Sequence, residues 1–129
     1  MSNATANLNN HFISIKQDVI AVDRGQAKAV EHPVGSSNPE QHVWSGYDNQ
    51  DAGMRAGVWD SQPGSWRVEI EGYTEFCALT EGSVVVEEDN GTRHELKAGD
   101  ALVMEDGFRG TWTVDNYARK YYFITNTAE

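Results

Sequence analysis

Between residues 69 and 75 the chain sets three carboxylates, Glu69, Glu71 and Glu75, on either side of Gly72, and a later apolar run carries Lys120. Side chains alternate along an extended chain, so Glu69 and Glu71 share a face. Three carboxylates converging in a pocket cannot all stay ionised unaided, because like charges raise one another's pKa. A hard divalent ion such as Mn or Mg would relieve the repulsion and suits oxygen ligands better than zinc does. Protonation or Lys120 would relieve it too. The other arrangement points Glu69 and Glu71 outward on a solvated face and leaves Glu75 alone inside, since alternation does not say which face is the core. Glu75 then has two readings. It is a metal ligand or an acceptor for a ligand's amine or hydroxyl, or it pairs with a buried cation, Lys120 or Arg67.

Little else in the sequence offers chemistry. Cys77 shares a strand face with Glu75 and Leu79 and has no histidine beside it, so it reads as an inert buried thiol. As the only cysteine it excludes an intrachain disulfide and any zinc site of paired cysteines. His11, His32 and His42 lie in irregular sequence without ligand spacing and read as surface or loop residues. His94 has no metal-ligand partner at a recognisable interval. No serine or cysteine triad and no nucleophile elbow is present. The rings of Trp59, Trp66, Tyr73, Trp112 and Tyr122 read mainly as core.

The elements that must hold these residues are strands. After residue 56, β-branched and aromatic runs alternate with turn signals at the spacing of an all-β sandwich or barrel. The runs cover 56–61, 66–71, 74–80, 83–88, 92–96, 101–105, 110–114 and 119–125. Asn90-Gly91 predicts a two-residue type I′ hairpin joining Val84-Val85-Val86 to His94-Glu95-Leu96. Residues 1–10 read as a flexible tail. Residues 11–55 read as an N-terminal arm and loops packing on a barrel of residues 56–125. Within them His11 to Val22 is an apolar arm with a turn at Gln17 and Asp18, and Gly35 to Gly53 has loop composition with Val43, Trp44 and Tyr47 as anchors.

The length of 129 residues fits one domain. Twenty acidic against ten basic residues give a net charge of -10, which repels phosphate backbones and anionic lipid, so neither nucleic acid nor a membrane is an expected partner. The start MSNATANLNN has neither the basic residues nor the apolar stretch of a signal peptide, so a cytoplasmic location is expected.

Two segments resemble the paired motifs of the cupin superfamily. Glu75, six residues and Gly82 fit the end of the first motif; Gly99 and Gly107 fit the glycines of the second. The usual metal-binding histidine positions hold Glu69, Glu71 and Gly110 instead. The run Gly57-Val58-Trp59-Asp60, Pro63-Gly64, Tyr73-Thr74-Glu75-Phe76-Cys77, Leu79, Glu81-Gly82, Gly99-Asp100, Gly107-Phe108-Arg109-Gly110-Thr111-Trp112 and Arg119-Lys120 resembles the cupin branch named for (S)-ureidoglycine aminohydrolase. The resemblance implies an antiparallel double-stranded β-helix, the jelly-roll cupin barrel. It places the named enzyme's manganese ligands at Glu69, at Glu71 and Glu75 where that enzyme has histidines, and near Arg109 or Gly110 where it has glutamine. With that set mostly replaced, no cofactor is expected; a manganese or other divalent ion, if present, would take Glu69, Glu71 and Glu75.

Tyr73 and Trp112 flank the motif turns that form a cupin's open mouth. The expected ligand pocket is therefore Glu75, Tyr73, Trp112 and Lys120. The first expectation is a binding module for a small polar metabolite. The alternatives are a metal-dependent enzyme on a nitrogenous or carbonyl metabolite, and a dimeric regulatory or structural protein with a vestigial pocket. A homodimer is expected in each case, with His11 to Val22 as an apolar surface for it.

Overall fold

The computed structural model describes residues 11–19 and 25–127. The expected tail lies outside the described residues, as do Ile20 and Val22. The strands are β1 (Gln26–Lys28), β2 (Gln41–Asn49), β3 (Met54–Ser61), β4 (Gly64–Glu69), β5 (Tyr73–Glu88), β6 (Arg93–Lys97), β7 (Ala101–Met104), β8 (Arg109–Val114) and β9 (Ala118–Asn126). All pair antiparallel and curl into a jelly-roll barrel, the fold that the resemblance implies. One sheet runs β1-β2-β3-β9-β5-β7 and the other β4-β8-β5-β6, with β5 crossing both.

Alternation explains what fills the barrel. Cys77 and Leu79 of β5, Trp59 of β3, Tyr122 and Ile124 of β9, and Trp66 and Trp112 of the opposite sheet turn inward and form one apolar cluster. Among the described residues no helix is long and apolar enough to cross a membrane.

The shared strand β5 corrects the reading of two runs, 74–80 and 83–88, around a turn. The chain does not reverse at Glu81-Gly82. It bends, with a register shift against β9 between Leu79 and Glu81, and continues into the second sheet. Gly82 sits at φ +77°, and a Cβ there would lie 1.7 Å from the Tyr117 carbonyl oxygen. The framework glycine of the motif is thus the point where the strand passes from one sheet to the other.

The hairpin after β5 has the expected partners, Val84 with Leu96 and Val86 with His94. Its turn is different. Gly91 N–H donates to Glu88 C=O at 2.8 Å, and only Gly91 has positive φ, so Asp89-Asn90-Gly91 form a three-residue loop. This is a type I turn closed by a left-handed glycine, which spares Asn90 the left-handed region.

Nearly half of the loop expected from Gly35 to Gly53 is strand. Gln41–Asn49 pairs along its length with β3, and the alternation that would have announced it is broken by a bulge between Ser45 and Tyr47. The N-terminal arm lies over this bulge: a Cβ on Gly46 would meet Ile15 Cγ1 at 2.6 Å. The turn at Gln17 and Asp18 is present, with Val19 N–H bonded to Lys16 C=O. After β1 the chain crosses to the other sheet. Arg67 N–H donates to His32 C=O at 2.8 Å and Val34 N–H to Ser65 C=O at 3.1 Å, so residues 28–34 close the front of the barrel.

Candidate functional site

Three neighbouring strands place their inward side chains in rungs. Glu75, Ile124 and Arg55 form one rung, Cys77, Tyr122 and Gly57 the next, and Leu79, Lys120 and Trp59 the third. Lys120 starts on the third rung and its side chain climbs two rungs, so that Nζ donates to Glu75 Oε2 at 3.2 Å. Cys77 Sγ donates to the same oxygen at 3.4 Å. The ammonium also lies 4.4 Å from the ring centre of Trp59 and 4.5 Å from that of Trp112. Trp66 completes a group of three indoles whose ring centres are 5.9 to 6.1 Å apart.

Burial decides the protonation states. Lys120 is 6% exposed, and desolvation opposes its charge. The Glu75 carboxylate and, once it ionises at alkaline pH, the Cys77 sulfur outweigh that cost and hold its pKa above the ordinary lysine value. Cys77 has no exposed surface, and burial pushes its thiol up to about 12. It is a neutral thiol, as the sequence reading has it.

The pair opens into a cavity of about 500 Å³, within the range of small-molecule sites. Glu75, Tyr73, Trp112 and Lys120, four residues that the sequence names, all line it. Glu69 and Glu71 also border the cavity, but the expected convergence of three carboxylates does not occur. Glu69 pairs with Arg67 at 3.5 Å, Glu71 is 82% exposed and faces Arg109 at 3.7 Å, and no group of three potential metal ligands forms among the described residues. The physical reason is Gly72. At φ +89° it turns the chain just after Glu71, which lies in the connection rather than on a strand.

Sequence reasoning missed part of the lining. Trp59 and Trp66 read only as core yet also face the cavity, and Arg55, with its guanidinium carbon 5.9 Å from the Tyr73 ring centre, stands at the exposed rim. Arg55 precedes Trp59 by four residues, which alternation puts on the same inward face. Lys28, Glu31 and His32 border the cavity from the N-terminal segment, so His32, read as a surface or loop residue, is a loop residue at the mouth. Only long-range pairing brings that segment there.

Residues 49–122 match the EutQ-like cupin domain, over half of the chain. The chain belongs to this cupin family. A protein of unknown function from Pseudomonas syringae pv. tomato is 28% identical, with a TM-score of 0.65; the alignment covers 80% of this chain and 46% of that one. The cupin therefore spans under half the length of that relative. The EutQ protein of Clostridium difficile is 16% identical with a TM-score of 0.59, covering 73% of this chain and 66% of that chain. An ethanolamine utilization protein Q from Salmonella typhimurium is 19% identical with a TM-score of 0.57, covering 71% and 72%. These two likenesses show the fold. No curated protein matches the chain.

Many cupins hold a metal where their motif residues converge, and the residues of this one do not fit such an ion. Glu75 is the one candidate carboxylate turned well inside, and its Oε2 is already bonded to an ammonium. A dication on Glu75 would sit within a few ångströms of that fixed positive charge, where the interior screens poorly.

Proposed function

We propose that this cupin binds a small polar metabolite in the barrel cavity and uses no metal to do so. The observation that carries the reading is the Lys120–Glu75 pair, buried at the base of an indole-lined cavity of about 500 Å³. An aminohydrolase of the ureidoglycine type would need a metal held at positions 69, 71 and 75. Here two of those side chains pair with arginines at the rim and the third with a lysine. Binding is supported over hydrolysis for that reason.

Native mass spectrometry of the protein incubated with the small-molecule fraction of a cell extract tests this. A one-to-one adduct is expected, and Val68→Trp, which fills the cavity from its half-buried wall, is expected to abolish it. No adduct, or an adduct undiminished by the filled cavity, would overturn the reading.

We also propose a homodimer. Val103, Phe76 and Phe123 face outward in one cross-strand row over β7, β5 and β9, at 58, 43 and 37% exposure, and Phe12 and Ile13 of the arm are exposed as well. Large apolar side chains in such a row are typical of an interface rather than of solvated surface. Sedimentation equilibrium is expected to give twice 14.3 kDa at micromolar concentration. A monomer there would remove the proposal, and Phe76→Glu is expected to produce one.

A further inference from the structure

The charges on the cavity lining leave no opening for an ionic ligand. Arg67 donates twice to Asp89, at 2.6 and 3.0 Å, and also faces Glu69 at 3.5 Å. Arg55 stands in register with Asp48 across β2 and β3, Glu71 faces Arg109, and Lys120 holds Glu75. Lys28 and Glu31, one of each sign on the exposed segment that closes the front, cancel. The carboxylate in excess is Glu69, which shares Arg67 at the rim with its side chain 43% exposed, where water screens it.

The base of the cavity is its dry part, and there the buried pair sets the terms. Lys120 and Glu75 line it with 7 and 13% of their side-chain surface exposed. Glu75 Oε2 accepts from both Lys120 and Cys77, while Oε1 makes no hydrogen bond among the described residues. A ligand cation there would meet the ammonium and an anion the carboxylate, and either would bury a charge without a counter-ion. An uncharged ligand must instead offer Lys120 an acceptor and Glu75 a donor. A hydroxyl is both, and two on adjacent carbons serve the two residues at once through charge-assisted hydrogen bonds. The wall asks for the opposite chemistry. Trp66, the one of the three indoles without the Lys120 ammonium over its ring, lines the cavity with Val68 and Ile70. Such a wall favours hydrocarbon surface leaving water.

We infer that the ligand is an uncharged cyclic polyol, a neutral monosaccharide or cyclitol, with two neighbouring hydroxyls on Lys120 and Glu75 and a C–H face of its ring against Trp66. Such a ring divides its surface as the cavity does, with hydroxyls round the edge and hydrocarbon on the faces. This rests on the binding reading above and specifies its ligand class. The three indoles on the cavity wall make tryptophan fluorescence a direct readout.

The probes are glucose, galactose, mannose, ribose and myo-inositol, titrated by fluorescence and calorimetry, with glucosamine, glucuronate, cyclohexanol and butyramide as comparisons. At least one neutral polyol is expected to bind tenfold or more tightly than all four comparisons. Taking one hydroxyl at a time from that polyol, as its deoxy compounds, is expected to cost tenfold or more at two adjacent positions. The double variant Glu75→Gln with Lys120→Met, which keeps the volume of the pair, is expected to abolish binding. The deoxy series uses the parent protein and decides the matter should that variant not fold. Equal or tighter binding of glucosamine or glucuronate, or equal binding of cyclohexanol or butyramide, would overturn the ligand class and leave the cavity a binding site. A polyol that loses nothing at any adjacent pair of hydroxyls, or that binds the double variant undiminished, would overturn it too. Silence from all five polyols beside a one-to-one adduct from the extract overturns the ligand class alone. Silence with no adduct overturns both readings.

Discussion

Glu75→Gln is expected to cost the fold about 3 kcal/mol, the usual scale for breaking a buried ion pair from one side. The glutamine keeps the size of the side chain and one acceptor oxygen, so packing is not the source of the loss. What changes is Lys120, whose side chain is 7% exposed and which loses the only carboxylate bonded to it among the described residues. The faces of Trp59 and Trp112 remain, but a cation over an aromatic ring gains about 2 kcal/mol at best when desolvated. The control is the double variant Glu75→Gln with Lys120→Met. It removes both charges and fills the same volume, so most of the lost stability should return. Urea unfolding of the three proteins measures both effects. A single variant within about 1 kcal/mol of the parent would mean that water reaches the pair and that the cavity base is not the dry site its burial describes.

The same pair shows how far the sequence carries. The strand pattern after residue 56 was legible because β-branched and aromatic runs alternate cleanly between turn residues, and Glu75, Tyr73, Trp112 and Lys120 could be named together from the cupin motifs. The partnership of Glu75 with Lys120 was open, not decided, because register between β5 and β9 depends on a bulge beside Gly82 that no local pattern reveals. Composition misled for β2, where Gly46 and a bulge interrupt the alternation. It misled again at Glu81-Gly82, where a glycine at positive φ marks a bend within β5 instead of a turn. Arg55 and the Lys28 to His32 wall stayed hidden for another reason. Their place at the cavity comes from pairing with β9 and β4, far away in the chain, and an exposed arginine or histidine in sequence gives no sign of the cavity it borders.

Alkaline pH is expected to unfold this protein in a defined order of titrations. Cys77 ionises at about 9 when free and is pushed up to about 12 by burial, with Lys120 lowering and Glu75 raising that value from either side. Lys120, ordinarily near 10.5, is also raised, and so are Tyr73, Tyr117 and Tyr122 from 10.0, each mainly by burial. In every case the folded state holds a proton that the unfolded chain gives up earlier. Above pH 9 the unfolded state therefore binds fewer protons, and stability falls as pH rises. The stabilisation is fully present below pH 9, begins to go with the thiol, and goes faster from pH 10 as the tyrosines and then the lysine join. A shift of about three units at a fully buried thiol amounts to about 4 kcal/mol by pH 12. Urea midpoints at pH 7, 8.5, 9.5, 10.5 and 11.5 trace the fall. Cys77→Ala isolates its first part: whatever the truncation costs at pH 7, the variant should lose clearly less stability than the parent between pH 8.5 and 9.5, where the thiol supplies the largest share of the titration and the tyrosines only begin theirs. A slope there as steep as the parent's would place the proton release elsewhere. Below pH 9 neither the thiol nor the lysine changes state, so the ammonium that anchors the cavity keeps its charge across the neutral range.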